Sequence, residues 1–325
     1  AGKWHLGLEP DQDPHARGFQ TSFALLQGGS NHFGGGFGPD TNPNLTATYT
    51  QDGSKAGIPA DFYSSDYFTT RLIAQLDARP KQAPFFAYLA FTAPHSPLQA
   101  PAADIARYKG RYDAGWAALR EARLTRMRAL GVVPRDIVAA PIADDRAAWD
   151  RLSAEEKKIE SRKMEIYAAM VHRLDQNVGR LVAKLQADGS YENTIFFFTS
   201  DNGPAAEGAE LYGRLPGMAA YLAARDSSLK TMGSKASTVF YGPRWAQAAS
   251  APYRLHKAVI TEGGTRVAAF VTYPRFGRQQ AFGSAFADVM DVVPTILDAA
   301  AVRPESKVAG RDVAVIRGKS MLPYL

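Results

Sequence analysis

The chain of 325 residues contains no cysteine, so disulfides and thiolate-bound metal centres are excluded within these residues. It also lacks any apolar run near the roughly 18 residues that a membrane-crossing helix requires. A secretory leader, if one exists, would lie upstream of Ala1. Wholesale disorder is excluded too, because 46% hydrophobic content at this length buries a sizeable core and fits one large α/β domain. A nucleotide cradle finds no support. Gly28-Gly29 and Gly34-Gly35-Gly36 lie in a stretch, residues 8–61, rich in Gly, Pro, Asn, Asp and Thr, with no strand-then-helix frame around them. That stretch is expected to be a long ordered loop region whose glycines serve unusual torsions or close approach. His15 and His32 within it are read as bystanders. The net charge of +6 fits an anionic substrate, nucleic acid or plain solubility equally well, and much of the excess follows Asp104.

What is present is a set of polar groups at the ends of expected strands. Gly2-Lys3-Trp4-His5-Leu6-Gly7 reads as the end of an extended segment. Alternation then puts Lys3 and His5 on one face and turns Trp4 and Leu6 toward a core. A fixed ammonium beside a titratable imidazole suits an anionic ester, although six residues alone serve equally as a surface strand end. Residues 85–91, apolar without alternation, are expected to form a central parallel strand covered on both faces. They lead into Thr92-Ala93-Pro94-His95-Ser96-Pro97, where His95 stands just beyond the strand in the crevice in which open α/β sheets bind ligands. Residues 194–199 predict a second buried strand ending in Ser200-Asp201-Asn202-Gly203. Asp201 and Asn202 offer hard oxygen donors of the kind Ca²⁺ or Mg²⁺ prefers, and the same tetrapeptide is also ordinary turn chemistry.

Helices are marked between these strands. Apolar spacing predicts one over residues 62–76, packed on a sheet. Ser153 and Glu156 have capping-box spacing and open a helix to about Leu185, whose stripe of Tyr167, Met170, Val171, Leu174, Val178, Leu181, Val182 and Leu185 should face the sheet. Asp188-Gly189 ends it. His172 and Asp175 on this helix are read as structural. Residues 104–151 look like a helical insertion with an Arg-rich, solvated face, broken by Gly131 and Pro134. Residues 207–250 are expected to be irregular, with Arg214, Arg225, Lys230, Lys235 and Arg244 facing water. Asp291 reads as a helix cap.

Gly2-Lys3-Trp4-His5-Leu6-Gly7 resembles the second signature of the type I sulfatases, in the alkaline phosphatase superfamily, closest to bacterial arylsulfatases. The resemblance continues through Asp201-Asn202 and through Lys257 with Glu262-Gly263-Gly264 to Gly318-Lys319-Ser320-Met321-Leu322-Pro323. It implies an α/β fold with a mostly parallel central sheet flanked by helices on both faces. On it, residues 1–325 are an interior portion of the catalytic core, truncated at both ends, with the insertion at about 104–151. The formylglycine signature, a Cys or Ser with nearby Pro and Arg, and a pair of acidic metal ligands are expected upstream of residue 1. A C-terminal subdomain is expected beyond the last residue.

The resemblance further implies Asp201 and Asn202 as metal ligands for Ca²⁺ (or Mg²⁺), and Lys3, His95 and Lys257 as substrate-binding groups. His5, His95, Lys3 and Lys257 are then the catalytic set. His95, with Lys257, would protonate the leaving alcohol or phenol, and His5 would take up a proton. Each of the six follows or ends an expected strand, and in a mostly parallel sheet such ends converge on one edge. The implied reaction is hydrolysis of sulfate esters, small-molecule or glycan, in a protein matured by a formylglycine-generating or other sulfatase-maturing enzyme. The chain as given would show no sustained turnover. No nucleic-acid partner is expected, and a periplasmic or secreted location is favoured over a cytoplasmic one. A phosphatase, phosphodiesterase or phosphonate hydrolase of the same superfamily is the alternative enzyme, and a catalytically dead protein that binds sulfated ligands is the alternative of another class.

Overall fold

The computed structural model describes residues 1–81, 83–142, 145–276, 282, 286–308 and 310–325, excepting the side chains of 145–147. Residues 143 and 144 of the expected insertion therefore lie outside the described residues. Two units form, one of Ala1–Glu192 with Phe197–Val271 and one of Asn193–Phe196 with Thr272–Leu325.

In the first unit, strands β1 (Gly2–Lys3), β2 (Phe23–Leu25), β3 (Tyr49–Gln51) and β4 (Ser54–Ala56) form one sheet in that order. β1 runs parallel to β2, while β3 and β4 return antiparallel. Residues 8–61 are thus not a loop throughout. Asp52 and Gly53, both at positive φ (50° and 81°), make the two-residue turn between β3 and β4, the geometry that an Asp-Gly pair favours because it matches the strands' twist. β2 is buried at every position. Phe23 stacks on Tyr49 at 5.9 Å and meets Tyr67 edge-on at 5.1 Å, and Phe62 and Phe68 complete this cluster.

The expected strand at 85–91 is reduced to an isolated parallel bridge between Ala90 and Gly2, residues 85–89 forming no regular strand. Lys3 N–H donates to the Ala90 carbonyl at 2.8 Å and Ala90 N–H to that of Ala1 at 3.0 Å. It is not covered on both faces, however. Leu89 packs on the Phe23 cluster, whereas Phe86 and Tyr88 are 61% and 49% exposed. Among the described residues no named strand pairs on its far side, so one side of the run meets solvent. The α/β class stands, with parallel pairing at β1 and an antiparallel meander added by β3 and β4.

Helices α1 (Ser64–Ala78), α2 (Ala102–Ala106), α3 (Gly115–Ala129), α4 (Asp145–Asp150) and α5 (Ala154–Ala187) follow in order. α5 starts as its spacing predicts, Glu156 N–H donating to Ser153 Oγ at 3.3 Å and Ser153 N–H to Glu156 Oε2 at 2.7 Å. Its buried face, including Met164, Ile166, Ala169 and Met170, packs on α1, α2 and α3 rather than on the sheet. A charged latch replaces part of the expected apolar stripe. Asp66 on α1 accepts Arg173 Nε and Nη2 at 2.8 and 2.6 Å and Asn177 Nδ2 at 2.7 Å, and Val171 is left exposed. His172 lies 6.0 Å from the Tyr108 ring.

Residues 104–151 build core as well as surface. Trp116 and Trp149 pack edge-to-face at 4.7 Å, and Trp245, on the later helix, closes the triangle at 5.8 and 6.1 Å. The Arg-rich face is not wholly solvated either. Arg120 is 8% exposed, and its guanidinium donates to the carbonyls of Gln247 at 2.5 Å, Ala140 at 2.7 Å and Pro252 at 3.3 Å. Satisfying several buried carbonyls with one charged donor is favourable where water is excluded.

Strands β5 (Phe196–Thr199) and β6 (Ala269–Thr272) pair with each other. Between them lie the short helices α6 (Ala209–Tyr212), α7 (Met218–Ala223), α8 (Gly242–Ala249), which carries Trp245, and α9 (Glu262–Thr265). Arg214, Lys230, Lys235 and Arg244 face solvent as expected, and Arg225 is half-buried, over the Tyr221 ring at 4.5 Å. In the second unit, α10 (Val292–Ala299) follows Asp291, with the hairpin β7 (Lys307–Val308) and β8 (Arg311–Asp312) after it. Asp291 stands at the N-cap position of α10, but its side chain makes no bond to that helix's first turn; its carboxylate instead accepts the N–H groups of Asp288 at 2.9 Å and Lys319 at 2.8 Å, while Asp288 caps the short turn before it.

Candidate active site

The six residues singled out by the sequence reach one place, but the first two do so by another route than strand alternation. β1 ends at Lys3, and His5 turns into the left-handed region at φ 60°. Trp4 N–H donates to Leu25 O at 2.8 Å and His5 N–H to Leu26 O at 3.1 Å, so the backbone remains tied to β2 while it turns. Trp4 is anchored by Nε1 donating to Gln12 O at 2.7 Å. Leu6 does not enter a core and is 68% exposed, because the turn at His5 ends the alternation.

His95 projects from the loop after Ala90. Its Nδ1 lies 2.7 Å from the Ser96 carbonyl, and since a carbonyl only accepts, Nδ1 carries the proton and Nε2 is the exchangeable nitrogen. Asp201 and Asn202 follow β5, with Ser200 N–H held by Ala268 O at 3.1 Å and Gly203 N–H by Gly264 O at 2.9 Å. Lys257 is fixed through its N–H to Pro204 O at 3.0 Å. Glu262-Gly263-Gly264 explains itself by crowding. A Cβ on Gly263 would lie 2.2 and 2.3 Å from the Leu255 and Arg254 carbonyl oxygens, and one on Gly264 2.1 Å from Val259 O. Among the described residues, three of the five non-glycine residues at positive φ (His5, Leu255 and Ala258) flank or form this site, and strain of that kind persists where the surrounding structure over-determines it.

Electrostatics tie the set together. The Lys3 ammonium is held below its usual pKa, first by burial, with Asp201 opposing and Lys257 reinforcing the shift. His5 is lowered by burial, then by Lys3 and Lys257, against Asp201. His95 is also lowered, by burial first and by both lysines, against the Ser96 carbonyl and Glu207. For Asp201, partial desolvation would raise the carboxyl, but the Asn202 amide, Lys3 and Lys257 outweigh it and hold it below the usual range. Two lysines, two imidazoles whose pKa values are lowered and one carboxylate thus share a single field.

The family model described as Sulfatase matches residues 1–302. The chain belongs to the sulfatase family. It is 45% identical to an uncharacterized sulfatase of Schizosaccharomyces pombe (strain 972 / ATCC 24843) over all of this chain and 60% of that protein. It is 35% identical to an arylsulfatase of Klebsiella aerogenes over 99% of this chain and 68% of that protein, so these residues span roughly two thirds or less of either relative. Among solved structures, Ps i-CgsB is 22% identical with a TM-score of 0.59, covering 99% of this chain and 53% of that one. BT4656 in complex with D-glucosamine-2-N,6-O-disulfate is 19% identical with a TM-score of 0.54, covering all of this chain and 60% of that one. At these identities the two structures establish a shared α/β fold.

The donor set of this sulfatase fits part of a divalent-cation shell. Asn202 Oδ1 is buried with no hydrogen-bond partner, a costly position for an amide oxygen unless a cation completes it, and its Nδ2 donates to Asp201 Oδ1. Among the described residues no group of three or more His, Cys, Asp or Glu side chains surrounds a common point, so these two oxygens stand as a partial set.

Sequence reading missed five contributors. Glu207 Oε1 lies 3.7 Å from Lys257 Nζ. The Tyr88 hydroxyl is raised by burial and by the nearby Asp201. Gly28 and Gly29 lie against the rings of His5 and His95, a close approach that their Gly-Gly pairing signalled without naming its target. His32, passed over as a loop bystander, is 1% exposed, and its Nε2 lies 2.9 Å from the His95 carbonyl.

Proposed function

We propose that this sulfatase hydrolyses sulfate esters of small molecules or glycans, in the manner of an arylsulfatase, through a formylglycine nucleophile carried outside these residues. The observation that supports this reading is the shared field of Lys3, His5, His95, Asp201 and Lys257 around an amide oxygen left without a partner. On this reading residues 1–325 are catalytic core, residues 104–151 an insertion into it, and a sulfatase-maturing enzyme acts on the full-length protein.

Asp201 and Asn202 would hold Ca²⁺, or Mg²⁺ in its place, with further ligands from outside these residues. Such an ion would supply Lewis-acid stabilisation of sulfuryl oxygens, and the formylglycine would supply the attacking oxygen. The chain's own residues do the rest. Lys3 and Lys257 neutralise the charge that grows on the sulfuryl oxygens as the ester bond breaks. His5, kept neutral, accepts a proton. His95 exchanges its proton at Nε2. Burial first, and then the two lysines, keep it neutral; an anionic sulfate between them offsets the lysine part, so bound substrate prepares His95 to protonate the departing alcohol or phenol.

The test is a pair of assays on the full-length protein, one with an aryl sulfate and one with the matching phosphate ester. Faster turnover of the sulfate supports the reading. Preference for the phosphate would move the protein to the phosphatase or phosphodiesterase branch, and tight binding without turnover would make it a sulfated-ligand binder.

A further inference from the structure

His32 is a buried titratable group with no place in the chemistry above, and every one of its polar atoms is engaged. Its backbone N–H donates to Gln99 Oε1 at 2.9 Å, and its carbonyl accepts Ser64 N–H at 2.8 Å. Nδ1 lies 2.8 Å from Ser64 Oγ and Nε2 2.9 Å from the His95 carbonyl oxygen. Because that carbonyl only accepts, the proton resides on Nε2, and the Ser64 hydroxyl donates to Nδ1. Gln99 is oriented in turn by Nε2 donating to Ser237 O at 2.8 Å. The ring is therefore a fixed donor, and its target is the backbone of an active-site histidine.

The same short segment touches both active-site imidazoles. A Cβ on Gly28 would lie 2.5 Å from Cε1 and Nε2 of His5, and one on Gly29 3.4 Å from Nδ1 of His95. His95 N–H is itself held by Thr92 O at 2.9 Å. With its N–H, its carbonyl and Nδ1 all engaged, the residue has little freedom except at Nε2.

We propose that residues 28–32 form a cradle for the two active-site histidines, in which His32 is the positioning residue for His95. Its Nε2–H holds the His95 carbonyl and so sets where the His95 ring presents Nε2, while Gly28 and Gly29 leave room for both rings. This deepens the sulfate-ester reading of the site and rests on it. Burial depresses the His32 pKa to about 4 against the support of the His95 carbonyl, so the donor keeps one protonation state across the neutral range. A positioning donor needs that property.

The experiment uses the 325-residue chain labelled with ¹⁵N-histidine, read by long-range ¹H–¹⁵N spectra at neutral pH. His32 is expected as the Nε2–H tautomer and His95 as Nδ1–H. Two variants separate donor from shape. His32→Gln keeps an N–H donor at similar reach, and His32→Phe keeps a planar ring without one. His95 ring signals should shift or broaden in His32→Phe and stay near wild type in His32→Gln. In the turnover-competent full-length enzyme, His32→Phe should lower kcat by about 10²-fold with little change in KM, as for a displaced catalytic group. An Nδ1–H tautomer at His32, unchanged His95 signals in His32→Phe, or equal disruption by both variants would overturn the proposal. If His32→Phe fails to fold, the wild-type tautomers and His32→Gln still decide it. A titration with inorganic sulfate keeps the two readings apart. Wild-type His5 and His95 signals that ignore sulfate count against the anion site, whereas the tautomers and the variant comparison judge the cradle on their own.

Discussion

The tryptophan core between α3, α4 and α8 and the polar edge beyond β1 are held by different forces. In the core, Trp116, Trp149 and Trp245 pack edge-to-face, and apolar burial does the holding. At the edge, Lys3 and Lys257 oppose each other's charge and disfavour a proton on His5 and His95. They stay together because the backbone is tied at Leu25, Leu26, Thr92 and Pro204 and because glycines permit close approach. The contrast teaches that one region supplies stability and the other spends some of it on function, so damage to each should register in a different measurement.

The largest effect should come from breaking the core. Trp116→Ala removes a ring 2% exposed and should lower the unfolding free energy by about 3–5 kcal/mol, read by urea denaturation. A loss below about 1 kcal/mol would mean the triangle carries little weight. Lys3→Ala makes the opposite case. In the full-length enzyme kcat should fall by about 10²–10³-fold with stability nearly unchanged, since the ammonium is already disfavoured by burial. Near-normal turnover would show that the site lies elsewhere.

His32 gives the edge its own stability signature. Its pKa falls from an ordinary 6.5 to about 4 in the fold, so the folded chain stays neutral where the unfolded chain takes up a proton. Its contribution is fully present above pH 6.5 and is lost as pH falls toward 4, a total of roughly 3 kcal/mol. Urea midpoints for the wild type and His32→Gln should differ in their pH dependence across this window, and parallel curves would contradict the assignment. Gly263→Ala, whose methyl would meet two carbonyl oxygens within 2.3 Å, should cost about 1–3 kcal/mol and displace Lys257, lowering activity more than stability suggests. Smallest of all, Glu207→Gln loosens a half-buried pair at 3.7 Å worth about 0–1 kcal/mol, measured as a change in the salt dependence of KM. A salt dependence identical to wild type would remove Glu207 from the substrate's field.

Much of this was legible in local pattern. The Ser153 and Glu156 spacing marked the start of α5, and that box forms. Lys3, His5, His95, Asp201 and Asn202 stood out as polar residues after strand-like runs, Lys257 only through the family resemblance, and the fold brings Lys3, His5, His95, Asp201 and Lys257 into one field with Asn202 beside Asp201. Other features depended on partners far along the chain. Whether Phe86 and Tyr88 are covered turns on what pairs beyond them, which an apolar run does not state. Arg120 resembles its solvated neighbours in composition, yet it is buried because three distant carbonyls converge on it. The Asp52-Gly53 turn signal was present and went unread within a glycine-rich stretch.

By itself the sequence determined which side chains could take part in anion chemistry, where α5 begins, and that no thiol is available within these residues, because these depend on residue type and short-range spacing. Tertiary structure decided that His5 reaches the site through a left-handed turn rather than strand alternation, that α5 packs on helices, and that His32 stands behind His95. A hydrogen bond across 63 positions is set by where the backbone returns, and local pattern carries no record of that path.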